Sequence, residues 1–152
     1  MTLGTDLAVV PHLVAYDAAS VDLVPKIRHL PRRRIGEPAE LTDLQTISER
    51  ENLAQALILR LLTPRGSLAA LGHAQYGSRL HEIIGQRKTD ALRNLCRAFV
   101  LEVVAQEPRV EDKAVELAFD PLAETATSLV FTVAVKPRDG GEPVGVSLEV
   151  SL

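Results

Sequence analysis

The spacing of apolar residues changes twice along the chain. Up to residue 47 no period holds, because Pro11, Pro25, Pro31 and Pro38 interrupt every candidate helix: proline lacks the amide donor and restricts the residue before it. Only short extended pieces such as Leu7-Ala8-Val9-Val10 and Leu44-Gln45-Thr46-Ile47 stay open. Residues 1–47 are therefore predicted to be an extended N-terminal arm that lies on another surface. From Ser48 a helical period takes over. Ser48-Glu49-Arg50-Glu51 has the form of a capping box, and Leu53, Ala54, Leu57, Ile58, Leu61 and Leu62 follow at three- and four-residue spacing until Thr63-Pro64-Arg65-Gly66 stops the run. A short second helix is predicted over Tyr76–Ile84, ended by Gly85. A third begins at Thr89 or Asp90, with Leu92, Leu95, Cys96, Phe99, Val100 and Val103 as its stripe and Arg93 and Arg97 pointing away. Pro108 ends it, since the ring pushes Glu107 toward the extended region.

From Val110 the period is two. Val115, Leu117 and Phe119 alternate with Ala114, Glu116 and Ala118; Leu129, Phe131, Val133 and Val135 alternate with Val130, Thr132 and Ala134. Val144, Val146, Leu148, Val150 and Leu152 alternate with Gly145, Ser147, Glu149 and Ser151, and Asp139-Gly140-Gly141 supplies positive-φ positions for a hairpin turn. The expected architecture is α+β: about three helices packed on one face of a small antiparallel sheet over residues 48–152, preceded by the arm. Val144 to Leu152 contains only Glu149 as a charge. At a sheet margin, such a strand is a template for a strand of another chain. It equally suits a central position, or pairing with the arm.

Composition narrows the function. A chain of 152 residues with a core of branched aliphatics, no Trp, three Phe and two Tyr has little from which to build an aromatic sugar or ligand cleft. The net charge of −3 gives no general grip on nucleic acid, yet Lys26, Arg28, Arg32, Arg33 and Arg34 lie together with no acid between them. This run reads as a solvated arm or as a contact with an acidic protein partner; no aromatic is interleaved for base stacking, which disfavours nucleic acid. One cysteine, Cys96, permits no internal disulfide and fits a reducing compartment. Met1–Val14 lacks the basic start of a signal peptide, and no apolar run approaches the roughly 20 residues a membrane helix needs, so a cytoplasmic protein with no membrane contact is expected.

Several segments together resemble a known family. Glu51-Asn52-Leu53-Ala54-Gln55-Ala56-Leu57, then Leu61-Leu62-Thr63-Pro64-Arg65-Gly66, then Tyr76-Gly77-Ser78-Arg79-Leu80 are similar to the baseplate wedge (protein W-like) family of contractile phage tails, in particular to the branch found in extracellular contractile injection particles. Gly4-Thr5-Asp6-Leu7 and Glu107-Pro108-Arg109 also match. The resemblance covers most of the chain and rests on the order and spacing of these pieces, none of which is specific alone. It implies a wedge domain like the C-terminal domain of the sheath subunit, present in several copies around a six-fold particle that can be released from the cell. The implied partners are the sheath subunit, larger baseplate wedge proteins, and tube or hub proteins. The implied contacts are strand addition to the sheath along Val144, Val146, Leu148, Val150 and Leu152, and a wedge contact at Glu107, Pro108 and Arg109. A surface ion pair at a helix end is the competing reading of that triplet. Ser67, and the lack of a proline from Ala70 to Gln75, depart from the phage pattern and leave the neighbouring wedge proteins open.

Members of that family are sometimes labelled lysozymes, and glycoside hydrolysis needs two carboxylates across a cleft, one of raised pKa. Glu82, Glu102, Glu107 and Asp120 are the candidates, and none has the apolar, aromatic setting required. Cys96 lies in an apolar stripe, and His12, His29, His73 and His81 share no metal-ligand spacing. No phosphate loop is present. The expectation is a structural protein without enzymatic activity, cofactor or metal; the alternative is an adaptor or regulatory domain that binds an acidic partner through the basic arm.

Overall fold

The computed structural model describes residues 4–12, 20–23, 25–29 and 40–152. The chain divides into two compact units, Leu3–Asn52 and Leu53–Leu152.

Up to Ser48, the described residues of the first unit form paired strands. β1 (Thr5–Leu7) pairs with β6 (Thr46–Ser48), β2 (Val9–His12) with β3 (Ser20–Leu23), and β4 (Pro25–His29) with β5 (Glu40–Leu44), all antiparallel. This corrects the expected arm: the prolines exclude helix but tolerate two-stranded ribbons, where Pro25 is the first residue of its strand and every strand is an edge. Ala8 is buried there, its amide donating to Gln45 O at 2.7 Å.

Two α-helices follow, α1 (Glu49–Leu62) and α2 (Asp90–Ala105). α1 is entered through Glu49 at φ 52°, and its stripe of Leu53, Leu57 and Leu61 is fully buried. α2 is capped by Thr89, whose side chain accepts from the Leu92 amide, and it buries Leu92, Cys96, Phe99, Val100, Val103 and Val104. The expected helix over Tyr76–Ile84 is not formed; Leu80–Ile83 makes one 3-10 turn. The cause is local. Ser78 N–H donates to Thr63 O at 2.7 Å and Ser78 O accepts from Arg65 N–H at 2.8 Å, so its backbone is committed to a bridge. Gly77 sits at φ 105°, where a Cβ would collide with the Thr63 carbonyl oxygen. Among the described residues, two α-helices and four small sheets thus replace the expected three helices on one sheet.

The largest sheet is a meander in the order β7 (Val110–Phe119), β8 (Ser128–Pro137), β9 (Val144–Ser151). α2 packs against β7. Leu129, Phe131, Val133 and Val135 of the central strand are fully buried, as period two requires, while Thr132 and Lys136 face solvent. Val144, Val146 and Leu148 continue the buried face on β9. In the β8–β9 turn only Gly140 takes positive φ, at 82°.

Candidate functional site

Two places in the second unit could engage another molecule. The first is the margin of the sheet. Among the described residues β9 pairs with β8 alone, through Ser128↔Ser151 to Val135↔Val144. In an antiparallel ladder each residue turns both backbone groups to one side, and successive residues alternate. Leu152 N–H donates to Thr127 O at 2.7 Å, so the even-numbered residues of β9 spend their amides and carbonyls on β8. Val144, Val146, Leu148, Val150 and Leu152 therefore give their side chains to the core face and their backbone to the internal ladder. The groups offered to the open margin belong to Gly145, Ser147, Glu149 and Ser151, a set that side-chain alternation alone did not single out. A hydroxyl pair, Thr132 Oγ1 to Ser147 Oγ at 2.7 Å, ties the solvent face of this margin to β8.

The second place lies where the ends of α1 and α2 meet the 72–78 segment. The Thr63-Pro64-Arg65-Gly66, Tyr76-Gly77-Ser78 and Glu107-Pro108-Arg109 pieces, far apart in sequence, come together here. Pro108 and Arg109 are the centre of a turn closed by Val110 N–H to Glu107 O at 3.1 Å, so the backbone is not extended as expected, a geometry proline favours at its second position. The turn still brings the two charges together: Arg109 Nε donates to Glu107 Oε1 at 2.6 Å. Glu107 is buried and Arg109 is about one-fifth exposed, 19% by side chain. Burial pushes the Glu107 carboxyl up, but the hydrogen bond and charge of Arg109, with Arg60 beyond it, outweigh burial and hold it below the usual range.

Around this pair, Arg65 Nη1 bonds Glu102 Oε1 at 2.6 Å, and the Arg60 guanidinium stacks 4.7 Å over the Tyr76 ring. With the Gln106 amide oxygen turned to Arg65, Nη2 donates to it at 2.8 Å and the amide nitrogen donates to Gln75 O at 3.1 Å. Burial raises the Tyr76 phenol above its ordinary value. An open concavity of about 430 Å³ is lined by Arg60, Gly72, His73, Ala74, Gln75, Tyr76 and Gln106. Arg60 and Gln106 were not singled out from sequence. The signal for Arg60 is an arginine placed inside the apolar run Leu57-Ile58-Leu59-Arg60-Leu61-Leu62, where a charge needs a reason.

A further buried carboxylate also escaped the sequence reading. Glu124, its side chain 2% exposed, receives Arg93 through both terminal nitrogens at 2.6 Å and Lys88 Nζ at 2.8 Å. The Arg93 hydrogen bonds, against burial and with help from Lys88, pull its pKa down to about 2. Arg93 and Arg97, expected to point away from the core, both lie over the Phe119 ring, at 5.4 and 5.7 Å.

The remaining candidates are placed as follows. Glu82 is exposed and bidentate to Arg79 at 2.7 and 2.8 Å, whose hydrogen bonds lower its pKa; Asp120 accepts from the Leu122 and Ala123 amides. Cys96 is buried, and burial pushes its thiol up to about 11. Lys26 is exposed on β4 opposite Asp43; Arg28 lies on the same strand, its side chain outside the description, and Arg32, Arg33 and Arg34 fall outside the described residues. Among the described residues no cluster of His, Cys, Asp and Glu is gathered for a metal, and no helix is long and apolar enough to cross a membrane.

No protein-family model matches the sequence, and no curated protein matches it. Among solved structures, the 1.44 Å crystal structure of a Geobacter sulfurreducens protein provisionally described as a tail lysozyme superposes with a TM-score of 0.57, covering 67% of this chain and 89% of that one at 18% identity. Over the matched two thirds of its length, the chain thus shares its fold with that protein.

Proposed function

We propose that this chain is a structural baseplate wedge component of a contractile phage-tail-like injection particle, made in the cytoplasm, that joins the baseplate to the sheath and starts sheath assembly by accepting a strand along β9. The observation that carries this reading is the open margin of β9, eight residues of regular ladder with a single charge and no partner among the described residues on the outer side. The Glu107-Pro108-Arg109 turn supplies a second contact, on larger wedge proteins: the buried Glu107 fixes Arg109 while about one-fifth of the Arg109 side chain, 19%, stays exposed. Tube or hub proteins and further copies around a six-fold axis complete the setting. Lys26 and the arginines that follow it in sequence would dock on an acidic face of a neighbour.

The reading is non-enzymatic. A glycosidase needs a carboxylic acid of raised pKa, whereas Glu82 and Glu107 are held low by their arginines and Glu102 is paired with Arg65. The test uses the backbone alternation. Ser147→Pro removes an outward-facing amide and leaves the β8 ladder intact, so cells carrying it should produce baseplates and tubes without sheath. Sheathed particles of normal length from that variant would sink strand addition.

A further inference from the structure

The concavity beside Tyr76 contains a cation that its own chain serves poorly. Arg60 Nη1 reaches Gln106 O only at 3.4 Å, Nη2 lies 3.8 Å from Glu107 Oε2, and Nε is buried with no acceptor. These distances are at or beyond the outer limit of a hydrogen bond. The carboxylates within reach already have closer arginines: Glu102 bonds Arg65 and Glu107 bonds Arg109, each at 2.6 Å. The Arg60 side chain is 16% exposed, so water compensates only part of what is missing. A mostly desolvated guanidinium without a close acceptor is costly, and such a group in a folded chain calls for something that completes it.

The walls describe what that something is. Arg60 lines the concavity together with Ala74, Gln106 and Tyr76, over whose ring its guanidinium stacks. Ala74 and Gln75 are the central residues of a turn closed by Tyr76 N–H to His73 O at 3.0 Å, a turn whose own hydrogen bond leaves the central amides unused. A volume of about 430 Å³ is several times that of one side chain and admits a residue with its flanking backbone. We infer that the concavity binds one acidic side chain, Asp or Glu, presented by an exposed loop of a protein partner. The carboxylate sits on Arg60, its methylenes lie on the Tyr76 ring, and the loop backbone faces the 74–75 turn. This site is separate from the β9 margin, and either can fail without the other.

The test titrates the full chain, observed by amide NMR, with N-acetyl-glutamate N′-methylamide and with its glutamine counterpart. The glutamate compound should give saturable shifts centred on residues 72–76 and 106, and bind about tenfold more tightly than the glutamine compound, as a charge-assisted hydrogen bond requires. Arg60→Met should remove that discrimination while the thermal midpoint stays level or rises, because the variant deletes an underserved cation. Unsaturable shifts, equal binding of both compounds, or a response centred elsewhere would overturn the inference. So would an Arg60→Met protein that melts well below the parent yet still prefers glutamate. If that variant fails to fold, the comparison of the two compounds on the parent chain decides alone.

Discussion

β7 and β9 flank the same central strand, yet they present different margins. β7 is irregular between Val110 and Val115, packs against α2, and carries the charged run Glu111-Asp112-Lys113. Its regular ladder runs only from Val115 to Phe119. Asp120 N–H donates to Val130 O at 2.9 Å, so by alternation the outward backbone groups of β7 belong to Val115, Leu117 and Phe119, whose side chains turn toward the core. β9 pairs without a break from Val144 to Ser151, and its outward backbone belongs to Gly145, Ser147, Glu149 and Ser151, with small or solvent-facing side chains. Bulges, charges and covering elements are the usual means of blunting a sheet margin. The β7 margin is interrupted, whereas β9 carries a single glutamate and pairs without a break, so only the β9 side keeps an unbroken row of outward backbone groups among the described residues.

The largest expected effect sharpens the alternation within β9. Val146→Pro deletes an amide from the internal ladder and disturbs a buried side chain; it should cost about 3 kcal/mol or more in urea unfolding. Ser147→Pro, one residue away, should cost about 1 kcal/mol, because edge strands accept proline where the amide faces outward. Equal losses would show that the parity assigned here is wrong.

The next effect is on the β7 side. Glu124 lies in the β7–β8 connection and holds Lys88 and Arg93, so Glu124→Gln should remove about 2 kcal/mol. Its folded pKa of about 2 lies below the ordinary value of 4.5, so the stability it contributes is complete above pH 4.5 and is lost as pH falls toward 2. The variant should therefore show a flatter loss of stability over that range than the parent, and faster amide exchange in β7 than in β9. An unchanged acid profile would remove Glu124 from the account.

The smallest effect on folding is Glu149→Lys. Stability should move by no more than about 0.5 kcal/mol, since the side chain is exposed, while a lysine on an open margin should reduce strand capture. Pull-down of sheath subunit by the two forms measures this, and undiminished capture would argue against this margin as the acceptor.

What could be read in the sequence followed from local rules. The stripe of α2, its Thr89 cap and the period-two strands rest on neighbours within a few residues. The pairing of Thr5 with Ser48 does not, and the prolines that excluded helix said nothing of which strands would meet. The second helix was misjudged because the groups that prevent it, Thr63 and Arg65, lie a loop away from Ser78. The Arg60 concavity was hidden for the same reason: residues 60, 76 and 106 become neighbours only once two helix ends converge. In β9 the sequence disclosed which side chains face inward, but naming the residues that face outward with their backbone required the ladder itself.

Cys96 has a practical consequence. Buried on the inner face of α2, with burial pushing its thiol up to about 11, it should react slowly with another thiol or with a maleimide at neutral pH. A cysteine placed at Leu122, 98% exposed at the tip of the β7–β8 connection, would thus be the single reactive handle, and one probe per molecule could be attached there without first mutating the native thiol.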